Sequence, residues 1–420
     1  MRSVVVSLSV LALAAAGAPA AAGGTVGVVL TNRLSAARPN EPVVISIADV
    51  RKAAPDFSAD AFVVAPEGGE PVPAQADDTD GDGRADEIAF VLDFAPKQTR
   101  RLRIFHGDGA DTGPGPSSFP SRAHASFQRK YEGMGWESDR VAWRMYFDER
   151  NAFDMFGKRK HGLALDYFAR PEVDYHAESP VGRDVFKIGD ALGIGAVGAY
   201  ADRRVMKVGK VAKREWKVVA DGPVRAIADL VYTGWDVAGR KVDLTSRITV
   251  WAGQRWFEHA VTARPARGLT LVTGLPRKPG VVFLAGKAGV PFIATWGHQA
   301  LVPGATATEA DPQQNLGLGI VMVEPFPMGS PARKDPANHL ARVRGTAARG
   351  GLVAKWRVVS AWDQEEPDGD TVAGLDPALM LPGALRSAEA WKAFVAGQAR
   401  LAASPIEVRI LTADGKETAR

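Results

Sequence analysis

Cysteine is absent from all 420 residues. Disulfides, thiolate metal sites and a cysteine nucleophile are therefore excluded, and stability has to come from packing. Histidine is scarce, at 7 residues, and the chain has neither a His-x-x-x-His run nor a Gly-x-Ser-x-Gly elbow. A zinc site would have to be assembled from scattered side chains, and the serine of an α/β-hydrolase is not indicated. An excess of one charge is also missing, since 52 basic against 48 acidic residues leave a net +4. The basic residues form short clusters (Lys158-Arg159-Lys160, Arg203-Arg204, Lys213-Arg214) and no long tract. This pattern argues against nucleic acid as a partner and leaves room for a carboxylated or sulfated ligand.

Long apolar runs are missing too, except at the start. After Met1-Arg2-Ser3 the chain is uncharged from Val4 to Ala16, breaks at Gly17 and Pro19, and reaches the small residues Ala20-Ala21-Ala22. These three parts read as a cleavable secretory signal over residues 1–22. The stretch is short for a bilayer span of about 20 residues and lacks a stop-transfer flank. The expected location is the periplasm or the cell exterior, with no integral membrane segment after cleavage.

What remains is 46% hydrophobic over the full sequence, enough for a large core. Its dominant periodicity is two, the period of a half-buried strand. Val43, Ile45 and Ile47 form one face, Ile88, Phe90, Leu92 and Phe94 another, and Leu102 and Ile104 alternate with Arg101 and Arg103. These segments define an N-terminal β module, residues 23–115. Gly, Pro, Asp and Ser dominate Gly107 to Ser121, which reads as a linker. Residues 116–420 form the main domain. There Val242, Leu244, Ile248 and Val250 alternate with polar residues, and Ala252-Gly253 turns the chain back toward Arg255 to Val261. One helix is expected near the end, capped by Ser387, with Trp391, Phe394, Val395 and Leu401 on one face and Gln398 interrupting it. The fold class is all-β with a C-terminal helix.

Asp78-Thr79-Asp80-Gly81-Asp82-Gly83-Arg84-Ala85-Asp86 is the sharpest local signal. The carboxylates of Asp78, Asp80, Asp82 and Asp86, the Arg84 carbonyl and a turn glycine offer the hard oxygens that a structural Ca²⁺ takes. It departs from an EF-hand, because position 12 is Ala89 and strands flank it. An acidic hairpin turn without metal is the competing reading. Gly193-Ile194-Gly195-Ala196-Val197-Gly198 matches a dinucleotide fingerprint by letter, but Lys187 and Asp190 precede it and a turn, Tyr200 to Arg204, follows. The βαβ context is lacking, so no nucleotide cofactor is expected.

Polar groups concentrate between Arg140 and Lys187. Arg140 and Arg144 can grip carboxylates, while Tyr175 and His176 can move protons near neutral pH. His298, in Trp296-Gly-His298, and His339 lie in loop-like contexts and complete a set of candidate ligand contacts.

The order Asp77 to Glu87 ahead of an apolar strand, Trp136-Glu-Ser-Asp-Arg-Val-Ala-Trp-Arg-Met-Tyr146, and Tyr175-His176 ahead of Phe186-Lys187-Ile-Gly189 resembles a secreted bacterial family of unassigned function. The resemblance covers nearly the whole chain after the signal. Its members look like β-supersandwich proteins related to the galactose-mutarotase-like fold and sit beside pectin- and ulvan-utilisation enzymes; at least one similar protein is an oligosaccharide dehydratase. The resemblance implies β-elimination on an anionic, uronic-acid-containing oligosaccharide. In that reading His176 is the base, Tyr175 the acid, and Arg144 with Lys187 neutralise the carboxylate. Arg140, Trp296, His298 and His339 stand as substrate contacts. The stretch Lys158 to Tyr167 departs from the family's apolar-aromatic pattern, which leaves His161 without an assigned role. Glycoside hydrolysis and glycan binding without turnover are the alternatives.

Overall fold

The computed structural model describes residues 23–107, 119–298, 301, 314–323, 328–329, 335–348, 351–366, 385–412 and 415–418. The expected signal segment and the domain boundary near residue 115 lie outside these residues. The chain is all-β, as the alternation predicts, with a C-terminal helix. No helix among the described residues is long and apolar enough to cross a membrane.

The first layer pair is a small sandwich. One sheet orders its strands Glu407–Leu411, Gly24–Thr31, Thr99–His106 and Phe62–Pro66, and the other Arg38–Ser46, Glu87–Phe94 and Ala74–Asp77. Between them Val43, Ile45, Ile88, Phe90, Leu92, Leu102 and Ile104 form one apolar cluster. The expected alternation fails at Ile47, which opens a helix, Ile47–Ala53, while remaining buried. Its outermost strand comes from the far end of the chain, which the local pattern could not indicate.

The main body is built on a nine-stranded antiparallel sheet that includes Lys213–Asp221, Arg225–Val237, Arg240–Trp251, Trp256–Arg264, Gly351–Trp362, Asn315–Met322 and Val290–His298. Its inner face, with Ile248, Phe257, Trp356 and Val358, packs on two five-stranded sheets in the largest apolar cluster. The helix Ala388–Ala402 crosses the opposite face, and its Ser387 hydroxyl caps it by accepting from the Ala390 amide at 3.1 Å. Trp391 settles over Gly317, where an added Cβ would stand 2.5 Å from the indole. Gly397 does not stop the helix.

The glycine run at residues 193–198 is a packing feature. Gly193 and Gly195 have φ of 78° and 77°, and an added Cβ would lie 2.0 Å from the Phe153 carbonyl or 2.4 Å from Val358. The strand Gly198–Ala201 follows, with no helix start to cradle a pyrophosphate.

Candidate functional site

One of the five-stranded sheets carries the Arg140 to Lys187 region, in the order Gly182–Asp184, Phe153–Lys158, Ala142–Tyr146, Gly133–Ser138 and Ala123–Gln128. Its register places Arg144 directly opposite Asp154, and Phe156 opposite Asp184. Because side chains alternate along a strand, Asp154 and Phe156 share a face, which brings both aspartates to one guanidinium. Arg144 Nη2 lies 2.7 Å from Asp154 Oδ2 and 2.6 Å from Asp184 Oδ2, and the Tyr146 hydroxyl donates to Asp154 at 2.9 Å.

The loop between Phe168 and Gly182 folds back over this cluster. The Asp184 amide donates to the Tyr175 carbonyl at 2.8 Å, and an Asx turn from Asp174 fixes the His176 amide at 3.0 Å. His176 Nδ1 then lies 3.4 Å from Asp184 Oδ2, while its side chain stays 65% exposed. The Tyr175 and His176 rings are 4.3 Å apart. A hollow of about 400 Å³ opens beside them, lined by Lys130, Pro171, Asp174, Tyr175 and His176. The Lys130 ammonium donates to the Pro171 carbonyl at 3.0 Å on its rim.

The electrostatics grade from interior to surface. Burial, and next the Asp184 carboxylate, push Asp154 upward against the pull of Arg144. Burial also works against charge on Arg144, but Asp154 and Asp184 outweigh it and its pKa rises. Contact with Asp184 raises His176, with partial desolvation opposing. The result is an Arg–Asp–His chain whose last member meets solvent, an arrangement suited to proton transfer.

Arg144 is 1% exposed, so it meets no substrate carboxylate directly; it positions Asp184, and the contact role expected of it is corrected to that. Lys187 is exposed outside the cluster and neighbours Lys278, whose ammonium sits 6.0 Å from the Phe186 ring. Arg140 sits against His161, whose imidazole burial and then Arg140 push down to about 3. Trp296 is buried and faces Trp391 at 6.3 Å, while His298 Nδ1 lies 3.1 Å from the Gln314 carbonyl. His339 stacks on Phe283 at 4.3 Å. None of Arg140, Trp296, His298 and His339 contacts the His176 hollow. Sequence reading gave no role to Asp154 or Lys130, and none to Tyr146 or Asp184, although both of these stand in the polar stretches that end at Tyr146 and Lys187.

In the acidic loop, carboxylate oxygens of Asp78, Asp80 and Asp86 lie within 4.8 Å of one another. Asp82 stands outside that group and accepts from the Arg84 amide at 2.8 Å. Gly81 and Gly83 adopt φ of 85° and 88°, and their amides donate to the two oxygens of Asp78 at 2.7 and 2.9 Å. The Thr79 hydroxyl and amide hold Asp86 below the usual carboxylate range. The donor set is hard oxygen throughout and fits Ca²⁺ better than a softer metal.

Among proteins of known structure, the chain is similar to a protein in glycosyl hydrolase family 38 from Enterococcus faecalis, at 10% identity and a TM-score of 0.46 over 92% of this chain and 47% of the other. An alpha-mannosidase from Enterococcus faecalis V583 gives the same identity and TM-score over 94% and 46%. Likeness this distant carries no assignment. Uncharacterized protein P7 of Formosa agariphila is 23% identical over 218 residues, 46% of this chain and 53% of the relative. The chain thus spans about half the length of that relative. A family described as a domain of unknown function, DUF4861, matches residues 30–408, and the chain belongs to it.

Proposed function

We propose that the protein is an exported carbohydrate-active enzyme that acts on uronic-acid-containing oligosaccharides by β-elimination at the His176 hollow. The observation that carries this reading is the imidazole of His176, oriented through Nδ1 by a buried aspartate and exposed to a hollow with a cation on its rim. The family resemblance supplies the substrate class, and the fold it implies is the galactose-mutarotase-like supersandwich.

Elimination across C4 and C5 breaks a C–H and a C–O bond and forms a double bond conjugated with the carboxylate. Nε2 of neutral His176 accepts the C5 proton, Asp184 stabilises the resulting imidazolium, and Tyr175 returns a proton to the departing O4. The carboxylate gains enolate character and needs a nearby positive charge. Lys130 supplies it in this scheme, in place of the buried Arg144 and the outlying Lys187. Asp154 and Asp184 could suggest a glycosidase pair, but Asp154 is fully buried and both are bridged by Arg144. The Asp78, Asp80 and Asp86 loop serves as a structural Ca²⁺ site that stiffens the hairpin.

The test is incubation with pectin, rhamnogalacturonan and ulvan oligosaccharides while following the ultraviolet absorbance of an unsaturated uronate. Turnover that His176→Ala abolishes supports the proposal. New reducing ends without the chromophore, or binding without turnover, would replace it with hydrolysis or with a binding protein.

A further inference from the structure

A second cleft, of about 470 Å³, opens between the N-terminal sandwich and the outer face of the nine-stranded sheet. Its walls are charged, and nearly every charge is answered. Arg225 is held by Asp77 and Glu87, Arg247 pairs with Asp229 at 2.7 Å, and Lys355 pairs with Glu258 at 2.8 Å. Arg357 is the exception. It stands opposite Glu258 in the strand register, yet that carboxylate turns to Lys355. The Arg357 guanidinium lies 3.9 Å over the centroid of the Trp256 ring, and its Nε is shut off from solvent with no hydrogen-bond partner. No hydrogen bond or ion pair reaches any of its nitrogens among the described residues.

A half-buried cation set over an indole with no hydrogen bond or ion pair of its own is unusual, because desolvation of a charge has to be offset by pairing. Here the offset is incomplete: burial is the largest influence on Arg357 and lowers its pKa, with Glu41 and then Glu258 only partly opposing. A planar oxyanion entering the cleft would pair with the two Nη atoms, Nε being closed to it, and that edge of a guanidinium matches a carboxylate at two points. Thr249, Glu258 and Lys355 lie beside it and offer the hydroxyl, carboxylate and ammonium groups that hydrogen-bond sugar hydroxyls.

We infer that this cleft is a binding site for a carboxylate-bearing saccharide, with Arg357 on Trp256 gripping the carboxylate. The anion site stands on Arg357 alone; only the choice of a saccharide rests on the function proposed above. It lies on the sheet face opposite the large core and shares no lining residue with the His176 hollow, so it serves to hold a glycan, separately from turnover.

Isothermal titration of the full chain with a galacturonate oligosaccharide, and with the same oligosaccharide methyl-esterified, tests the inference. The free acid should bind at least about tenfold more tightly than the ester, Arg357→Ala should lose at least about tenfold, and Arg357→Lys should recover only part of that loss, because an ammonium cannot bind bidentately. The Arg357-dependent binding event should persist in His176→Ala, whatever is lost at the hollow. The inference is overturned if acid and ester bind alike, if neither binds, or if a folded Arg357→Lys or Arg357→Ala protein binds as well as the parent. Because the Lys130 rim of the His176 hollow would also prefer the acid, the folded Arg357→Lys protein compared with the parent decides the matter if Arg357→Ala fails to fold. Binding that depends on Arg357 with no turnover on any uronate would defeat the proposed elimination and keep this site; turnover with binding indifferent to Arg357 would do the reverse.

Discussion

Asp184 stands between a buried cation and an exposed imidazole, with its Oδ2 atom 2.6 Å from Arg144 Nη2 and 3.4 Å from His176 Nδ1. The contact raises the His176 pKa above its ordinary value of 6.5. The proton acceptor is the neutral ring, which is populated only above that raised pKa. Turnover should therefore increase with pH and reach half its plateau above pH 6.5. Asp184→Asn removes the charge and should move the midpoint downward while lowering the plateau. A pH–rate profile of both proteins checks this; a flat profile, or a midpoint unmoved in the variant, would remove His176 from the base role.

Arg144, Asp154 and Asp184 are all buried, and the pair distances leave little room for water between them. Replacing one partner of such a cluster strands the others. Arg144→Met should cost about 3–5 kcal/mol, the range expected when a buried ion pair loses one member. Urea unfolding followed by circular dichroism measures it. A loss under about 1 kcal/mol would mean that the cluster is hydrated and loosely held, as in exposed pairs.

Most of the fold was legible because burial repeats with the strand period. Ile88 to Phe94 and Val242 to Val250 point inward as their alternation requires, and Ser387 caps the helix it was expected to cap. Ile47 was misread because one residue more of alternation looks like strand, while the chain had already turned into a helix. The site was half legible. Tyr175-His176 announces itself as adjacent proton-moving groups, but Asp184 becomes its partner only through the pairing of Phe153–Lys158 with Gly182–Asp184, and Asp154 meets Arg144 only through strand register. Lys187, expected to neutralise the carboxylate, and Arg140 and His339, expected as substrate contacts, lie away from the hollow, since a polar side chain carries no sign of the sheet face on which it will land.

The acidic loop invites a metal titration. Asp78, Asp80 and Asp86 already crowd their oxygens within 4.8 Å, so a cation would relieve their mutual repulsion. Millimolar CaCl₂ should raise the melting temperature by a few degrees over EDTA, by mass action on the folded state. Asp78→Asn should lose that increment, and so should Asp86→Asn. Equal melting curves with calcium and with EDTA would leave the loop as a hydrogen-bonded hairpin turn only.

His124 gives stability a pH dependence away from the site. Its Nδ1 lies 2.9 Å from Asp221 on the edge strand Lys213–Asp221, and hydrogen bonding to that carboxylate, against burial, raises its pKa above 6.5. A raised value means that the folded state holds the proton more tightly than the unfolded chain does. The stabilisation is complete below the unfolded value and is lost as pH rises through the folded one. The melting temperature should therefore fall between about pH 6 and pH 8 by more in the parent than in His124→Gln, after subtraction of the His176 contribution with His176→Ala, because imidazoles titrate near 6.5. Since Asp221 also accepts from the Ala125 amide at 3.1 Å, Asp221→Asn should lower stability at every pH as well as flatten the slope. If Asp221→Asn kept the parent slope, the proton linkage would have to reside elsewhere, with Asp166 at 3.6 Å from His124 Nε2 as the next partner to replace.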